Sequence, residues 1–373
     1  MLLPPSTDDW LAEDHPSRFV AEAVDELLDL APIYASYESF DGAPPYDPTM
    51  MRKLLLWGYS CGVTSSREME RHCGTDVAFR YLCANQAPDY GSIARFGHED
   101  EAFGADRRGD ELPAELARRE TRLEKMRAAK EAIEHDAKEK AAAKARAKAE
   151  KEARSDDEVQ EAVAVAAEKA TPDKAAQRNF TDPECRMMKT NDGFHYADNG
   201  QAVVDEEAQV ILAVSVTQAA GDVGQLFSMA DRMADNLASA GIEGGPDVML
   251  ADAGCCSEDN LNKAHGSDLD WLIATGRLKH HERVPAAPRG RIRKDATSRE
   301  RMARRLRTKA GRTDYARRKA IVEPAFGQMK VHQHAGHLRL RGLDGATGEW
   351  TLHAICHNLR KLGNRRAATA AMA

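Results

Sequence analysis

Two acidic residues, Asp252 and Glu323, have surroundings that suit them for chemistry. Asp252 follows the apolar run Val248 to Ala251, which predicts a short buried strand, and α/β sheets place their sites at such strand ends. An aspartate there also suits the cap of the next turn or helix, and the residues alone leave both roles open. Glu323 precedes Pro324, whose ring fits the first turn of a helix, so we expect Glu323 at a kink or near a helix start.

A carboxylate pair among arginines and lysines is the donor set that metal-assisted phosphodiester chemistry requires. Mg2+ and Mn2+ are hard cations that take carboxylate oxygen ligands. Two such ions can activate a water or a 3′-hydroxyl and stabilise the leaving oxygen. Glu323 is alternatively a simple ion-pair partner of the arginines and lysines near it in the sequence. Taken together, Asp252 and Glu323 are predicted to be catalytic residues and metal ligands.

The stretch around these acids alternates between strand and helix patterns. Gln201 to Val204 and Val210 to Val216 predict a hairpin with period-two alternation. Gln225 to Ala238 has helical periodicity, and Trp271 to Ala274 predicts a strand after the one that ends before Asp252. This order predicts a mixed α/β domain over residues 179–365, with a basic helical tail.

Positive charge is concentrated in one block of the chain. Residues 277–341 contain 20 Lys and Arg against 5 Asp and Glu, although the whole protein has a formal net charge of -7. A basic block in an acidic background predicts a polyanionic partner such as DNA, and a merely solvated surface is the alternative. The residues predicted to contact DNA are Lys330, Arg318, Lys319, Arg317, Arg304 and Arg305.

The N-terminal part, residues 1–103, has the pattern of several short helices with Gly and Pro joints. Asp47 and Asp76 suit helix N-caps, and Ser65 with Glu68 forms a capping-box pattern. Such a cluster fits a DNA-binding helix-turn-helix module and a plain helical bundle equally well.

The middle of the chain, residues 104–178, is dominated by Ala, Glu, Lys and Arg. A short heptad seam that includes Leu123 and Met126 fades into alanines after Ile133. This pattern predicts a charged helical spacer, as a coiled coil or a helical hairpin, that carries no chemistry.

The composition limits the class of protein. With 42% hydrophobic and 30% charged residues and no apolar run of about 18 residues, no membrane span is expected. The first residues lack the pattern of a signal peptide, and seven cysteines without a CxxC pair predict reduced thiols in a cytoplasm. No set of Cys and His residues has the spacing of a zinc site. For the histidines near the C-terminus we therefore expect packing or contact with phosphates; they are His332, His334, His337, His353 and His357.

Four strings in the chain resemble bacterial insertion-sequence transposases of the DDE class. They are DPECRMMKTNDGFHYADNGQAVVDEE (182–207), LADAGCCSEDNL (250–261), YARRKAIVEPAFGQMK (315–330) and RGLDGATGEWTLHAICHNLRKL (341–362). Residues 19–103 resemble the helical N-terminal domain of that family. The resemblance implies an α/β RNase H-like catalytic domain preceded by an all-α N-terminal domain and a helical, coiled-coil insertion.

The same resemblance implies a function and a set of residues. It implies cut-and-paste or related strand transfer at element ends by a homo-oligomer on DNA, with Mg2+ or Mn2+ in a two-metal site. By the match, Asp252 is the second acid of the triad and Glu323 the third. Lys330 keeps the family's spacing from Glu323, whereas Tyr315 and Arg318 stand one residue too far upstream.

The first acid of the triad is missing from the pattern. In the family, a strand of type apolar-apolar-Asp-Gly-Thr carries it, between the N-terminal domain and the helical insertion. Here Phe103 runs straight into Gly104, and the sequence contains no Asp-Gly-Thr. We therefore predict an in-frame deletion of this strand. Asp205 and Asp192 are the candidate substitutes, although Asp205 belongs to the predicted hairpin turn.

The sequence thus predicts a transposase that binds element ends and whose catalysis is impaired. The predicted organisation is a DNA-binding domain over 1–103, a spacer over 104–178 and the catalytic domain over 179–365. A non-catalytic DNA-binding remnant is the alternative from another class. A metal-dependent nuclease unrelated to transposition fits the two acids but not the family strings.

Overall fold

The computed structural model describes residues 6–31, 34, 46–97, 119–152, 155–174, 176–190, 193–276 and 286–372. The junction between Phe103 and Gly104, where the deletion is predicted, lies outside the described residues. No helix in the described ranges is long and apolar enough to cross a membrane.

The N-terminal part consists of short helices, as the sequence predicts. They are α1 (Thr7–Trp10), α2 (Pro16–Leu27), α3 (Pro48–Ser60), α4 (Ser66–Thr75), α5 (Val77–Leu82) and α6 (Tyr90–Gly97). The predicted caps are confirmed at Asp47 and Asp76, whose carboxylates accept hydrogen bonds from backbone N–H groups of the first turn. The capping box at Ser65 is wrong, because the Ser65 side chain makes no cap hydrogen bond.

The spacer is a helical hairpin formed by α7 (Arg119–Lys151) and α8 (Asp156–Glu168), which pack against each other. Ser155 and Glu158 form a capping box at the start of α8. The predicted heptad seam is not a buried one, since Leu123 and Met126 are half-exposed in the hairpin.

The strands form three separate two-stranded sheets among the described residues. The first is an antiparallel ribbon, β1 (Arg186–Thr190) with β2 (Gly193–Ala197), which the sequence analysis missed. The second is the predicted hairpin, β3 (Asn199–Val204) with β4 (Ile211–Thr217). The third is the parallel pair β5 (Val248–Ala251) and β6 (Asp270–Ile273). In this part of the chain no strand joins β3 to β5.

Helices cover and connect these strands. They are α9 (Leu226–Ser239), α10 (Glu258–His265), α11 (Ser298–Leu306), α12 (Lys309–Gly327) and α13 (Gly342–Met372). The predicted helix over residues 225–238 corresponds to α9. Burial of one face of α9 against β3 and β4, with Met229 and Met233 in contact with Ala213, explains its helical periodicity.

The last helix, α13, belongs to two hydrophobic cores. Trp350 on α13 is buried with Ile211 and Val216 of β4, and its indole N–H donates to the Gln201 carbonyl at 3.0 Å. Trp350 therefore anchors the last helix to the hairpin. Two and six residues further on, Leu352 and Cys356 of the same helix pack into the core of the N-terminal helices. The N-terminal helices and the β3–β4 hairpin are therefore held together by one element.

Candidate active site and nucleic-acid interface

Asp252 lies immediately after β5, where the chain enters a 3-10 turn over Ala253–Cys255. The Asp252 Oδ1 atom accepts a hydrogen bond from the backbone N–H of Gly254 at 2.7 Å. The residue therefore caps the turn, which is one of the two roles that the sequence leaves open. Capping does not bury the group, because Asp252 stays half-exposed at the end of the strand.

A second carboxylate, that of Asp222, lies beside Asp252. A Cβ added at Gly254 would stand 2.8 Å from Asp222 Oδ2 and 3.0 Å from Asp252 Oδ1, so both oxygens face one small space that the glycine leaves open. Burial raises the pKa of the neighbouring Cys255 thiol to about 12, and the charges of Asp252 and Asp222 contribute to the rise. Asp222 lies in the loop between β4 and α9, where no pattern in the sequence marks it.

The space beside Gly254 fits a divalent cation in two respects. Its donors are carboxylate oxygens, the ligand type that Mg2+ and Mn2+ prefer. The absence of a side chain at Gly254 leaves room between those donors, which any other residue would fill. Asp252 and Asp222 are therefore the residues that would hold a cation there.

Tyr315 connects α12 to this site. Its hydroxyl donates a hydrogen bond to the Ala251 carbonyl at 3.2 Å, directly before Asp252. Burial raises the pKa of Tyr315, the nearby Arg318 guanidinium opposes the rise, and the Asp252 charge adds to it. Arg318 also stacks over the Tyr315 ring at 5.8 Å. The middle of α12 is thus fixed beside the end of β5.

Glu323 lies near the C-terminal end of α12 and is exposed. It stands eight residues beyond Tyr315, about 12 Å along the helix axis at 1.5 Å per residue. Pro324 lies inside α12, so its predicted first-turn position is wrong. The helix then continues as a π-helical turn over Gln328–His332, so the chain accommodates the proline without ending the helix there.

The acids do not form a closed cluster in this structure. Within the described ranges, the one trio of Asp, Glu, His or Cys ligand atoms that all lie within 4.8 Å of one another belongs to His135, Asp136 and Glu139 on α7. That trio lies on the spacer, and Asp136 is paired with Arg178 at 2.9 Å. Neither Asp252 nor Glu323 belongs to such a trio. Their joint role as metal ligands stays a prediction.

The two candidate substitutes for the first acid fare differently. Asp205 lies in the β3–β4 turn, as predicted, and its carboxylate accepts hydrogen bonds from the backbone N–H groups of Ala208 and Val210. These bonds close the turn and occupy both of its oxygens. Asp192 lies outside the described residues.

The predicted DNA contacts fall into two groups in the structure. Three of the six arginines and lysines already have protein partners: Arg305 pairs with Asp270, Arg317 with Glu206, and Arg304 donates to the Gly290 carbonyl. The Arg305 guanidinium holds the pKa of the Asp270 carboxyl below its ordinary value. Arg318 stacks on Tyr315, and Lys330 lies over the Phe326 ring at 5.5 Å. Lys319 and Lys330 are exposed.

The histidines of the tail also divide into two groups. His332, His334 and His337 are exposed. His353 and His357 are fully buried on α13, where His357 Nε2 donates to the Gln209 carbonyl at 2.8 Å. Burial lowers the pKa of His353 to about 4, so this ring is neutral at pH 7, and burial also lowers the pKa of His357. These two histidines pack, as expected from the sequence.

Two known protein families match this chain, one in its N-terminal part and one in its C-terminal half. The family described as Transposase domain (DUF772) matches residues 5–99, and the family described as Transposase DDE domain matches residues 169–359, slightly more than half of the chain. No curated protein and no solved structure gives a match. The chain belongs to the DDE transposase family of insertion sequences. That family generally depends on a divalent metal.

Proposed function

We propose that this protein is a DNA transposase that binds the ends of an insertion sequence and whose strand cleavage and transfer are impaired. The match to the Transposase DDE domain over residues 169–359 carries the proposal. The match covers Asp252 at the end of β5, Glu323 on α12 and Lys330 in the π-helical turn after it. These are the residues that the resemblance to the family assigns to the site.

The roles proposed for the acids follow from their positions. Asp252, held by its bond to the Gly254 amide, presents a half-exposed carboxylate at the strand end. A bound Mg2+ or Mn2+ pair would activate the attacking oxygen and stabilise the leaving oxygen. Tyr315 keeps α12 against β5 through the Ala251 carbonyl, and this contact fixes the start of the segment that leads to Glu323. In an RNase H-like domain, Glu323 would be the third acid.

DNA is the proposed partner of the basic segment. Exposed Lys319 and Lys330 are the strongest candidates for phosphate contacts, since Arg305 and Arg317 are held by acids of the protein itself. We propose the helices over 1–103 as the part that binds element ends, with the hairpin over 104–178 as a spacer and 179–365 as the catalytic domain. A homo-oligomer would then join two ends.

Impairment follows from the missing strand. The hairpin β3–β4 and the pair β5–β6 are separate sheets in the part of the chain described. A strand between β3 and β5 is the place where the family's first acid would stand, and the sequence carries no Asp-Gly-Thr for it. This observation favours the second candidate function, a non-catalytic DNA-binding remnant that occupies element ends.

The experiment that tests DNA recognition is a binding titration with the full chain. One duplex would carry a terminal repeat of the element, and the control duplex would have the same length and base composition in scrambled order. We expect tighter binding to the terminal repeat, by about 10³-fold or more, as for specific protein–DNA complexes. Equal affinity for both duplexes would contradict the proposal that the protein recognises element ends.

A further inference from the structure

Asp222 is fixed by two amide side chains from the start of β3. Asn199 Nδ2 and Gln201 Nε2 each donate to Asp222 Oδ1 at 2.8 Å. The Gln201 amide also donates to Asn199 Oδ1 at 2.9 Å, so the two amides orient each other. One oxygen of the Asp222 carboxylate is therefore held by the protein, and the other, Oδ2, is turned toward Gly254.

The two carboxylates meet where a side chain is missing. Asp222 Oδ2 and Asp252 Oδ1 lie 2.8 and 3.0 Å from the position that a Cβ on Gly254 would take. Two carboxylates that face one small space repel each other unless a cation lies near both oxygens. Neither the Asn199 and Gln201 amides nor the Gly254 amide neutralises this charge, because they only donate hydrogen bonds.

We propose that Asp222 is a ligand of the divalent cation beside Asp252, so that the protein keeps one cation site although the first acid of the triad is missing. The proposal rests on the proposed function, which assigns Asp252 to the metal site. Asp205 lies in the β3–β4 turn, where its two oxygens accept hydrogen bonds from the backbone N–H groups of that turn. Binding of a cation would survive the deletion, whereas strand joining, which needs the full triad, would not.

Mn2+ binding to the full chain tests the proposal without measuring catalysis. Free Mn2+ would be followed by its EPR signal for the unchanged protein and for Asp222→Asn, Asp252→Asn and Asp205→Asn. Asparagine at 222 keeps an oxygen that can accept from Asn199 and Gln201 but removes the charge. We expect about tenfold or greater weakening for the first two variants. Asp205→Asn is the matched control and should bind Mn2+ within about twofold of the unchanged protein, a difference of about 0.4 kcal/mol.

A steric variant supports the test in case Asp222→Asn disturbs the fold. Gly254→Ala leaves every carboxylate in the chain but places a methyl group between the two oxygens. We expect it to weaken Mn2+ binding like Asp222→Asn. Circular dichroism and the unfolding midpoint of each variant would show that it is folded.

The outcomes separate the two proposals. Weakened binding in Asp222→Asn, Asp252→Asn and Gly254→Ala supports the role of Asp222. Normal binding in Asp222→Asn with lost binding in Asp252→Asn overturns the role of Asp222 and leaves the proposed function in place. Binding that no variant changes, or no Mn2+ binding by the unchanged protein, overturns this inference, and the DNA titration then decides the proposed function by itself.

Discussion

The Tyr315 hydroxyl donates a hydrogen bond to the backbone carbonyl of Ala251, the residue directly before Asp252. The same carbonyl also accepts from the Ala274 N–H at 3.1 Å, at the end of the parallel pair β5–β6. Through one oxygen atom, the helix that carries Glu323 is tied to the strand that carries Asp252. This contact links the two elements that carry the acids paired by the family pattern.

Removing this hydrogen bond should lower the stability of the folded protein slightly. Tyr315→Phe deletes only the hydroxyl, and the Ala251 carbonyl keeps its bond to Ala274, so we expect a loss of about 1 kcal/mol in the free energy of unfolding. Urea denaturation measures it. Tyr46→Phe is the matched control, because the exposed Tyr46 hydroxyl makes only a 3.5 Å contact. Equal effects in both variants would contradict a specific role of Tyr315.

DNA binding should depend steeply on salt. Lys319→Ala and Lys330→Ala should each lower the affinity for every duplex by a similar factor, because phosphate contacts carry no sequence information. Each should reduce the slope of log K against log salt by about 0.9. Lys169→Ala, an exposed lysine outside the basic block, is the control and should leave the slope unchanged. A flat salt dependence of the unchanged protein would show that the block is only a solvated surface.

Stability should fall as the pH drops from about 6.5 to about 4. Burial lowers the pKa of His353 to about 4 in the folded protein, whereas the unfolded chain binds the proton at its ordinary pKa of 6.5. The folded state is therefore favoured above pH 6.5, and this contribution is lost as the pH falls toward the folded pKa. This difference in pKa between the folded and the unfolded chain contributes at most roughly 3 kcal/mol to the free energy of unfolding.

Chemical denaturation at several pH values measures this dependence. His353→Leu should remove much of the dependence of the free energy of unfolding on pH between pH 6.5 and 4, even though the absolute stability of the variant differs. His195→Leu is the control, since His195 is exposed on β2 and should leave the slope as it is. An unchanged slope in His353→Leu would mean that other groups cause the acid sensitivity.

The contact between β3 and α13 should not tolerate added volume. A Cβ at Gly200 would stand 3.0 Å from the Trp350 ring, so Gly200→Ala forces the ring or the strand to move and should cost about 1–3 kcal/mol. Gly221→Ala is the matched control, because a Cβ there meets nothing within 4 Å. Urea midpoints compare the two. A Gly200→Ala protein as stable as the control would show that Trp350 is not packed on β3.

The parts of the fold that sequence reasoning could predict are those with local periodicity. The β3–β4 hairpin and α9 each bury one side in a core, so their apolar residues recur at strand or helix spacing. The strands β5 and β6 are short continuous apolar runs, and β6 is buried on both of its sides. The ribbon β1–β2 was not predicted because it is largely exposed. Phe194 is 69% exposed and Met187 is 38% exposed, so the apolar residues of the ribbon do not mark a buried face.

The missed features of the site depend on contacts between distant segments. Asn199 and Gln201 hold one oxygen of Asp222 while the other faces Gly254, and neither residue spacing nor residue type in the sequence predicts this network. Pro324 suggested a helix start by its ring geometry, but it lies inside α12, where the Ala320 carbonyl that lacks the proline N–H accepts from Gln209 Nε2 at 2.8 Å instead. Family strings located Asp252 and Glu323, while their joint role as ligands stays a prediction.

The most direct test of the account compares DNA binding with strand joining in the same protein. The unchanged chain should bind element-end DNA but show little cleavage or joining with Mg2+ or Mn2+. A variant that carries a family-like strand with Asp-Gly-Thr inserted between Phe103 and Gly104 should recover joining, and Glu323→Gln should abolish it again. Robust metal-dependent joining by the unchanged chain, abolished by Glu323→Gln, would contradict the account and show that another acid completes the triad.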